Sequence, residues 1–317
     1  MALLLYRGCE EACTAFRDWL AERGIAVKIH VFDAQVDPGR LPTLVKAARQ
    51  RQPDVVVTWG TQTALAAFGP LGEVKLGTHF TDRPGVFMIV SQPVASRLIS
   101  TTAPRRRNIT GTQYLTEEGD QIDAARTLLS ESGRPLSKVG VIYTPTEPNA
   151  QLNVAKLHAA AETRGITVIK RALPLNKDGE PNPEAIPALV AELASAGIDM
   201  IYQPADTVMN VNRHILGRSA RGHGIPVFAA GEAPVRDGVA FAGLVYSYAA
   251  VGRKTAEIVA RVLDGERPRD ISVVAPGQPD LLFNAAVADD MGIVPPTDVI
   301  RFLRYTGDAC SICGEGP

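Results

Sequence analysis

The strongest constraint in this chain is an order of elements that runs once and then starts again. Short apolar stretches alternate with longer amphipathic ones, and the alternation restarts at Lys138. In the first run, strands are expected at residues 2–6, 27–32, 54–58 and 86–90. Helices are expected at 10–23, 41–50, 61–68 and 119–130; in the first of these Cys13, Phe16 and Leu20 recur at helical spacing before Gly24 stops the helix. In the second run, strands at 138–143, 167–172, 200–204 and 226–229 alternate with helices at 149–164, 184–196 and 208–220. A helix at 249–265 and a strand near 281–284 follow. Such alternation implies parallel sheets covered by helices on both faces. Two successive runs imply an α/β chain of two Rossmann-like lobes. Open α/β sheets bind ligands beyond the carboxyl ends of their strands. If the lobes face each other, those ends line one cleft, and hinge closure is the expected motion.

Size and charge agree with two globular domains. The chain has 317 residues, with 33 basic against 34 acidic side chains. That balance requires no basic face, so nucleic acid is not an expected partner. The cluster Arg105, Arg106, Arg107 reads as a solvated loop. No apolar run approaches the roughly 20 residues that cross a bilayer. The opening residues read as a short buried strand and not as a secretory signal, as expected of a mature chain or a cytoplasmic one. The cysteines come in two pairs, Cys9 with Cys13 and Cys310 with Cys313. Disulfides or free thiols suit this spacing better than zinc, because only the second pair has Cys-x-x-Cys spacing.

Enzyme signatures are missing from the sequence. Arg7-Gly8-Cys9 stands where a dinucleotide-binding glycine motif would open the first helix, and no Walker-type or nucleophile-elbow motif occurs. The five histidines show no ligand spacing. No catalytic residue, metal site or cofactor is expected. One catalytic alternative is Cys9, as a low-pKa thiol at a helix N-terminus.

The strand ends carry the informative residues. Gly60 permits a tight turn after the third strand, and Thr61 can cap the next helix, whose free N–H groups attract a carboxylate. Ser91-Gln92-Pro93 follows the fourth strand, with Pro93 suited to the first turn of a helix. After Tyr143 comes a polar turn with Asn149 as the expected cap. Asp206 is a lone carboxylate able to hold an amine, or else a helix cap. Glu232 follows the next strand, and Tyr246 and Tyr248 stand at period-two spacing, one able to stack on a ligand. Together these groups suit an amino-acid-like solute.

Four segments resemble a known family. They are Gly8-Cys9-Glu10-Glu11-Ala12-Cys13 with Phe16-Arg17-Asp18; Gln52-Pro53-Asp54-Val55-Val56-Val57 leading to Gly60-Thr61; Asn108-Ile109-Thr110-Gly111 with Val139 to Tyr143 and Glu147-Pro148-Asn149; and Ile225-Pro226-Val227-Phe228 with Gly252-Arg253-Lys254-Thr255-Ala256. In this order they resemble the ABC-transporter substrate-binding proteins of the TrpX type, which include tryptophan- and phenylalanine-binding members. The resemblance implies a type I periplasmic-binding-protein fold. It also implies binding of a solute, possession of a permease partner, action as a monomer, and a place at the periplasmic or extracellular face, with a signal peptide or lipid anchor belonging to the precursor. The implied lobes are residues 1–114 with about 244–275, and 115–243 with about 276–305, followed by a tail at 306–317. The implied ligand contacts are Thr61, Gln62 and Ser91 from the first lobe, and Tyr143 is counted among the ligand-binding residues. Asn149, Ala150 and Gln151 would meet a carboxylate, Asp206 an amine, and Glu232 and Tyr246 would line the hinge side. This chain has Ser91-Gln92-Pro93 where members often have Thr-Asp-Pro, and Ala150 where they often have serine. A ligand sensor coupled to a membrane protein is the other non-enzymatic reading.

Overall fold

The computed structural model describes residues 1–102 and 107–306. Arg105, Arg106, Cys310 and Cys313 lie outside the described residues. The chain divides into two compact units. One comprises Met1–Tyr114 with Tyr246–Gln278, and the other Leu115–Val245 with the residues from Pro279 onward. The backbone passes from one unit to the other three times.

The first unit begins with β1 (Ala2–Leu5), α1 (Glu11–Glu22), β2 (His30–Asp33), α2 (Leu41–Gln50), β3 (Val56–Trp59), α3 (Thr61–Phe68), β4 (Gly85–Val90) and β5 (Ile109–Gln113). The second contains α4 (Glu118–Ser130), β6 (Lys138–Tyr143), α5 (Pro148–Glu162), β7 (Thr167–Ala172), α6 (Ile186–Ser195), β8 (Met200–Gln203), α7 (Thr207–Val211), α8 (Arg213–Gly222), β9 (Val227–Ala229), α9 (Glu232–Arg236) and β10 (Ala242–Val245). The chain then returns to the first unit with α10 (Tyr248–Leu263). It ends in the second with β11 (Asp280–Asn284), α11 (Ala285–Asp290), α12 (Thr297–Ile300) and β12 (Leu303–Thr306).

The first unit's sheet has the order β2-β1-β3-β4-β5, and every pairing is parallel. The second has the order β12-β11-β10-β9-β8-β6-β7, with β10 and β11 antiparallel and the rest parallel. Strands buried on both faces read as continuous apolar runs, as Leu3-Leu4-Leu5 and Val55-Val56-Val57 do. One core of the first unit joins Leu4, Val56, Phe87 and Ile109 to Phe68 and Val45. In the second unit, Ile142, Ile201 and Val227 pack with Val190, Met209 and Leu216.

Several local expectations need correction. Pro93 opens no helix; residues 93–97 form turns in which the Leu98 amide bonds back to the Pro93 carbonyl. The helix expected over 208–220 is broken at Asn212 into α7 and α8. The cap of α3 is Gly60 and not Thr61, and that of α5 is Glu147 and not Asn149, since Pro148 takes the first helical position. Cys9 is bonded to Cys13, with Cα atoms 5.0 Å apart, so it offers no free thiolate and the Cys9 nucleophile reading falls. Among the described residues, no helix is long and apolar enough to cross a membrane.

Candidate functional site

In the first unit, the ends of β3 and β4 are adjacent because these strands pair. After Trp59 the chain turns at Gly60, whose φ of 92° is one that a side chain rarely tolerates. A Cβ there would meet nothing within 4 Å, so the backbone conformation and not space demands glycine. α3 then starts, with Thr61 buried and Gln62 half-buried in its first turn. The first amides of a helix have no intrahelical acceptor, so this turn presents donors. Thr58 Oγ1, Trp59 Nε1 and Thr63 Oγ1 are buried around it without a hydrogen-bond partner. β4 ends irregularly: Ile89 has a φ of 54°, and the register with β5 shifts between Phe87 and Val90. This bulge precedes the buried Ser91. A β-branched residue in that region is strained, and such strain gathers at ligand sites. Beyond β1, the Arg7 guanidinium lies 4.8 Å over the Trp59 ring and 2.9 Å from Glu10. Tyr246 is half-buried and belongs to this unit.

In the second unit, β6, β8 and β9 lie side by side, so the turns after them are neighbours. Tyr143 is half-buried at the end of β6. Asp206 caps α7 and is 3% exposed. Its carboxylate accepts from the Thr144 amide at 2.6 Å, the Thr144 hydroxyl at 2.9 Å and the Met209 amide at 2.9 Å. Glu147, also 3% exposed, accepts from the Thr207 amide at 2.9 Å and from Asn149 Nδ2 at 3.4 Å. Both acids therefore converge on the first turn of α7. Burial is the largest cause raising both carboxyls, and for Glu147 the Asp206 charge adds to it, pushing it up to about 7.

Asn149 Nδ2 also donates to the Ala205 carbonyl at 2.7 Å. Its Oδ1 is consequently fixed as an acceptor, buried and without a partner. The side chain expected to donate to a carboxylate thus offers an oxygen instead. Ala150 is fully buried, and the exposed Gln151 turns its amide back to the Pro145 carbonyl. Glu232 is buried at the start of α9 and pairs with Arg236 at 2.5 Å. Gln203, 1% exposed at the end of β8, keeps both amide atoms buried without a partner.

A polar strut supports this turn from below. The Ala205 amide donates to Asn153 Oδ1 at 2.9 Å, and Asn153 Nδ2 reaches Glu118 at 2.7 Å and the Tyr202 hydroxyl at 3.3 Å. Tyr202 in turn donates to Gln121 at 2.9 Å, and Gln121 donates to the Thr116 carbonyl at 3.1 Å. Burial raises both the Tyr202 phenol and the Glu118 carboxyl above their ordinary ranges. Tyr202→Phe is expected to cost about 1–3 kcal/mol, because Gln121 Oε1 loses its donor while buried. Chemical denaturation at neutral pH measures this, and an unchanged midpoint would remove the strut from the stability of this unit.

Four groups were not singled out from the sequence: Arg7, Trp59, Glu147 and Gln203. Arg7, Trp59 and Gln203 stand at or just after strand ends, the same signal that marked Thr61 and Asp206, and Glu147 caps the helix that follows β6.

Against known proteins, the model of the ABC transporter substrate binding protein family matches residues 5–302. The chain belongs to that family. A tyrosine-binding protein of Clostridioides difficile (strain R20291) is 25% identical over 261 residues, covering 82% of this chain and 69% of the relative. The structure of an ABC domain in complex with L-Trp from Streptococcus pneumonia superposes with a TM-score of 0.82 at 22% identity, over 96% of this chain and 99% of that one. A ligand-free, open substrate binding protein with adhesive properties from Clostridium difficile gives a TM-score of 0.68 at 22% identity, over 96% and 98%. These neighbours share the type I periplasmic-binding-protein fold. The chain is thus a substrate-binding protein of an ABC transporter, and such proteins work outside the cytoplasm with a small-molecule ligand and a permease. Family and fold are those of transport-binding proteins and not of enzymes.

Proposed function

We propose that this family member captures a free amino acid, with an aromatic one preferred, and delivers it as a single chain to its permease. The observation that carries the reading is the opposite polarity of the two strand-end clusters. The first unit offers donors: the opening turn of α3 with Thr61 and Gln62, and the unpartnered hydroxyls and indole N–H around it. Ser91 extends that set. The second unit offers chiefly acceptors, Glu147, Asp206 and Asn149 Oδ1, while the unpartnered Gln203 amide supplies both a donor and an acceptor. Donors of the first kind suit a carboxylate and acceptors of the second an ammonium, because each buried polar group left unpaired costs about 1–3 kcal/mol. Tyr143 and Tyr246, with Trp59, supply aromatic surface for a side chain. The tyrosine and L-Trp bound by the relatives agree with this reading. The Cys9–Cys13 disulfide agrees with a periplasmic or extracellular location, where thiols oxidise; a lipid anchor on the precursor would keep the protein at its permease.

A thermal-shift screen of the twenty amino acids, followed by calorimetry, tests it. Ligand at about 100 times its Kd stabilises by about 2.7 kcal/mol, a plain rise in Tm. Thr61→Val is expected to weaken L-tyrosine or L-tryptophan about tenfold, the scale of one charge-assisted hydrogen bond, with little change in the free protein's Tm. Absence of binding by any amino acid would refute the proposal.

A further inference from the structure

We propose that Glu147 and Asp206 form a proton-exchanging cation site: in the free protein the two carboxyl groups hold one proton between them, and the ammonium of an incoming solute displaces it. This rests on the amino-acid reading above and adds that capture releases a proton. One O–H bond breaks, its proton passes to solvent, and the solute's ammonium takes its place against the carboxylates.

Geometry carries the proposal. Two carboxyl groups, each 3% exposed, meet at the first turn of one short helix. Neither forms an ion pair among the described residues, and two adjacent buried carboxylates cannot both ionise cheaply without a cation. α7 itself carries no ionisable residue beyond its cap. The charged groups on the surrounding elements are engaged elsewhere or, as with His214 and Arg218 on α8, exposed. Lys156 on α5 faces Glu117, Lys138 on β6 faces the Ala196 carbonyl, and Arg213 on α8 pairs with Asp237. Glu118 on α4 accepts from Asn153, and Glu232 on α9 pairs with Arg236. His158 on α5 is exposed.

The independent sign of a ligand is Asn149. Its amide points at Glu147, and its Oδ1 is buried with no donor. The Nδ2 that reaches Glu147 is shared with the Ala205 carbonyl, so the buried Oδ1 of the same amide lacks a donor, which an ammonium supplies and an anion does not. The elevated Glu147 carboxyl agrees, since it is partly protonated at neutral pH while no cation is bound.

The sign of the pH effect follows. Glu147 is raised from 4.5 to about 7, so the folded protein binds the proton more tightly than the unfolded chain does. The stabilisation from that proton is present below about 4.5 and is lost as pH rises through about 7. A bound ammonium reverses this, because it favours the ionised pair. Affinity therefore falls as pH drops below about 7, by about tenfold per unit for one exchanged proton.

The test is calorimetry of L-tyrosine and L-tryptophan binding to the full chain from pH 5.5 to 8.5, in two buffers of different ionisation heat at each pH. The expected result is release of close to one proton near pH 6, with the tenfold-per-unit slope. Glu147→Gln is expected to abolish both and to weaken binding about tenfold at pH 8. Equal affinity across the range with no proton released would overturn the proposal while leaving amino-acid capture standing. If no amino acid binds, that reading fails, and ¹³C carboxyl NMR of the free chain judges the pair. A carboxyl titrating near 7 that is absent from Glu147→Gln supports it. Ordinary titration of every carboxyl overturns it. Asp206→Asn serves as the second variant should Glu147→Gln fold poorly.

Discussion

Gly252→Ala is expected to lower the stability of the first unit by about 3 kcal/mol or more, a fall in Tm on the order of 10 °C. Gly252 lies where α10 crosses α1. A Cβ there would stand 2.1 Å from the Ala12 carbonyl oxygen, 2.9 Å from its carbon and 3.0 Å from the Phe16 amide nitrogen. All three are backbone atoms, so no side chain can rotate away, and the helices must separate. Separation would strip contacts from Cys13, Phe16 and Leu20 on α1 and from Val251, Thr255 and Ala256 on α10, all buried. Gly222→Ala is the control: it ends α8, has no positive φ, and its Cβ would meet nothing within 4 Å. That variant is expected to match or slightly exceed the wild type, as alanine does over glycine in a helix. Thermal unfolding of both variants decides the matter. An unchanged Tm for Gly252→Ala would mean that the helices slide apart at little cost.

Asp206→Ala is expected to destabilise the second unit by about 3 kcal/mol, whatever it does to ligand affinity. Three donors lose their acceptor at once: the Thr144 amide, the Thr144 hydroxyl and the Met209 amide. Each buried donor left unsatisfied costs about 1–3 kcal/mol, and partial relaxation keeps the sum towards the low end. Asp206→Asn keeps the carbonyl oxygen and is expected to cost about half as much. In Asp206→Asn the Glu147 carboxyl should also fall from about 7, because the Asp206 charge no longer opposes its ionisation. It should stay above 4.5, since burial is the larger cause. Urea unfolding at pH 7 measures the first effect and carboxyl NMR the second. Asp206→Ala with full stability would show that water replaces the carboxylate at the cap. Loss of ligand affinity in Asp206→Ala is therefore an ambiguous sign of ligand contact, and Glu147→Gln, which disturbs fewer donors, reads the charge more cleanly.

The sequence by itself determined the alternation of strands and helices, its restart near Lys138, and the concentration of polar residues at strand ends. These are local properties. A strand buried on both faces must be apolar along its length, and a helix must repeat its apolar positions every three or four residues. For the same reason β5, β10 and β12 gave weak signals: Ile109–Gln113, Ala242–Val245 and Leu303–Thr306 are short and mix polar or small residues into their runs. The break between α7 and α8 was equally hidden, because Asn212 sits inside a pattern that continues past it.

Only the tertiary structure decided what the strand-end residues do. Glu147 and Thr207 are 60 residues apart, and they touch because β6 and β8 pair side by side. That pairing buries two carboxylates on one helix turn, which turns Asp206 from a lone acid into half of a pair. It also commits the Asn149 Nδ2 to the Ala205 carbonyl and to Glu147, and leaves its Oδ1 buried without a donor. Sequence spacing shows which groups a turn carries. Ionisation and hydrogen-bond commitment depend on burial and on neighbours brought from elsewhere in the chain, and those exist only once the sheet has formed.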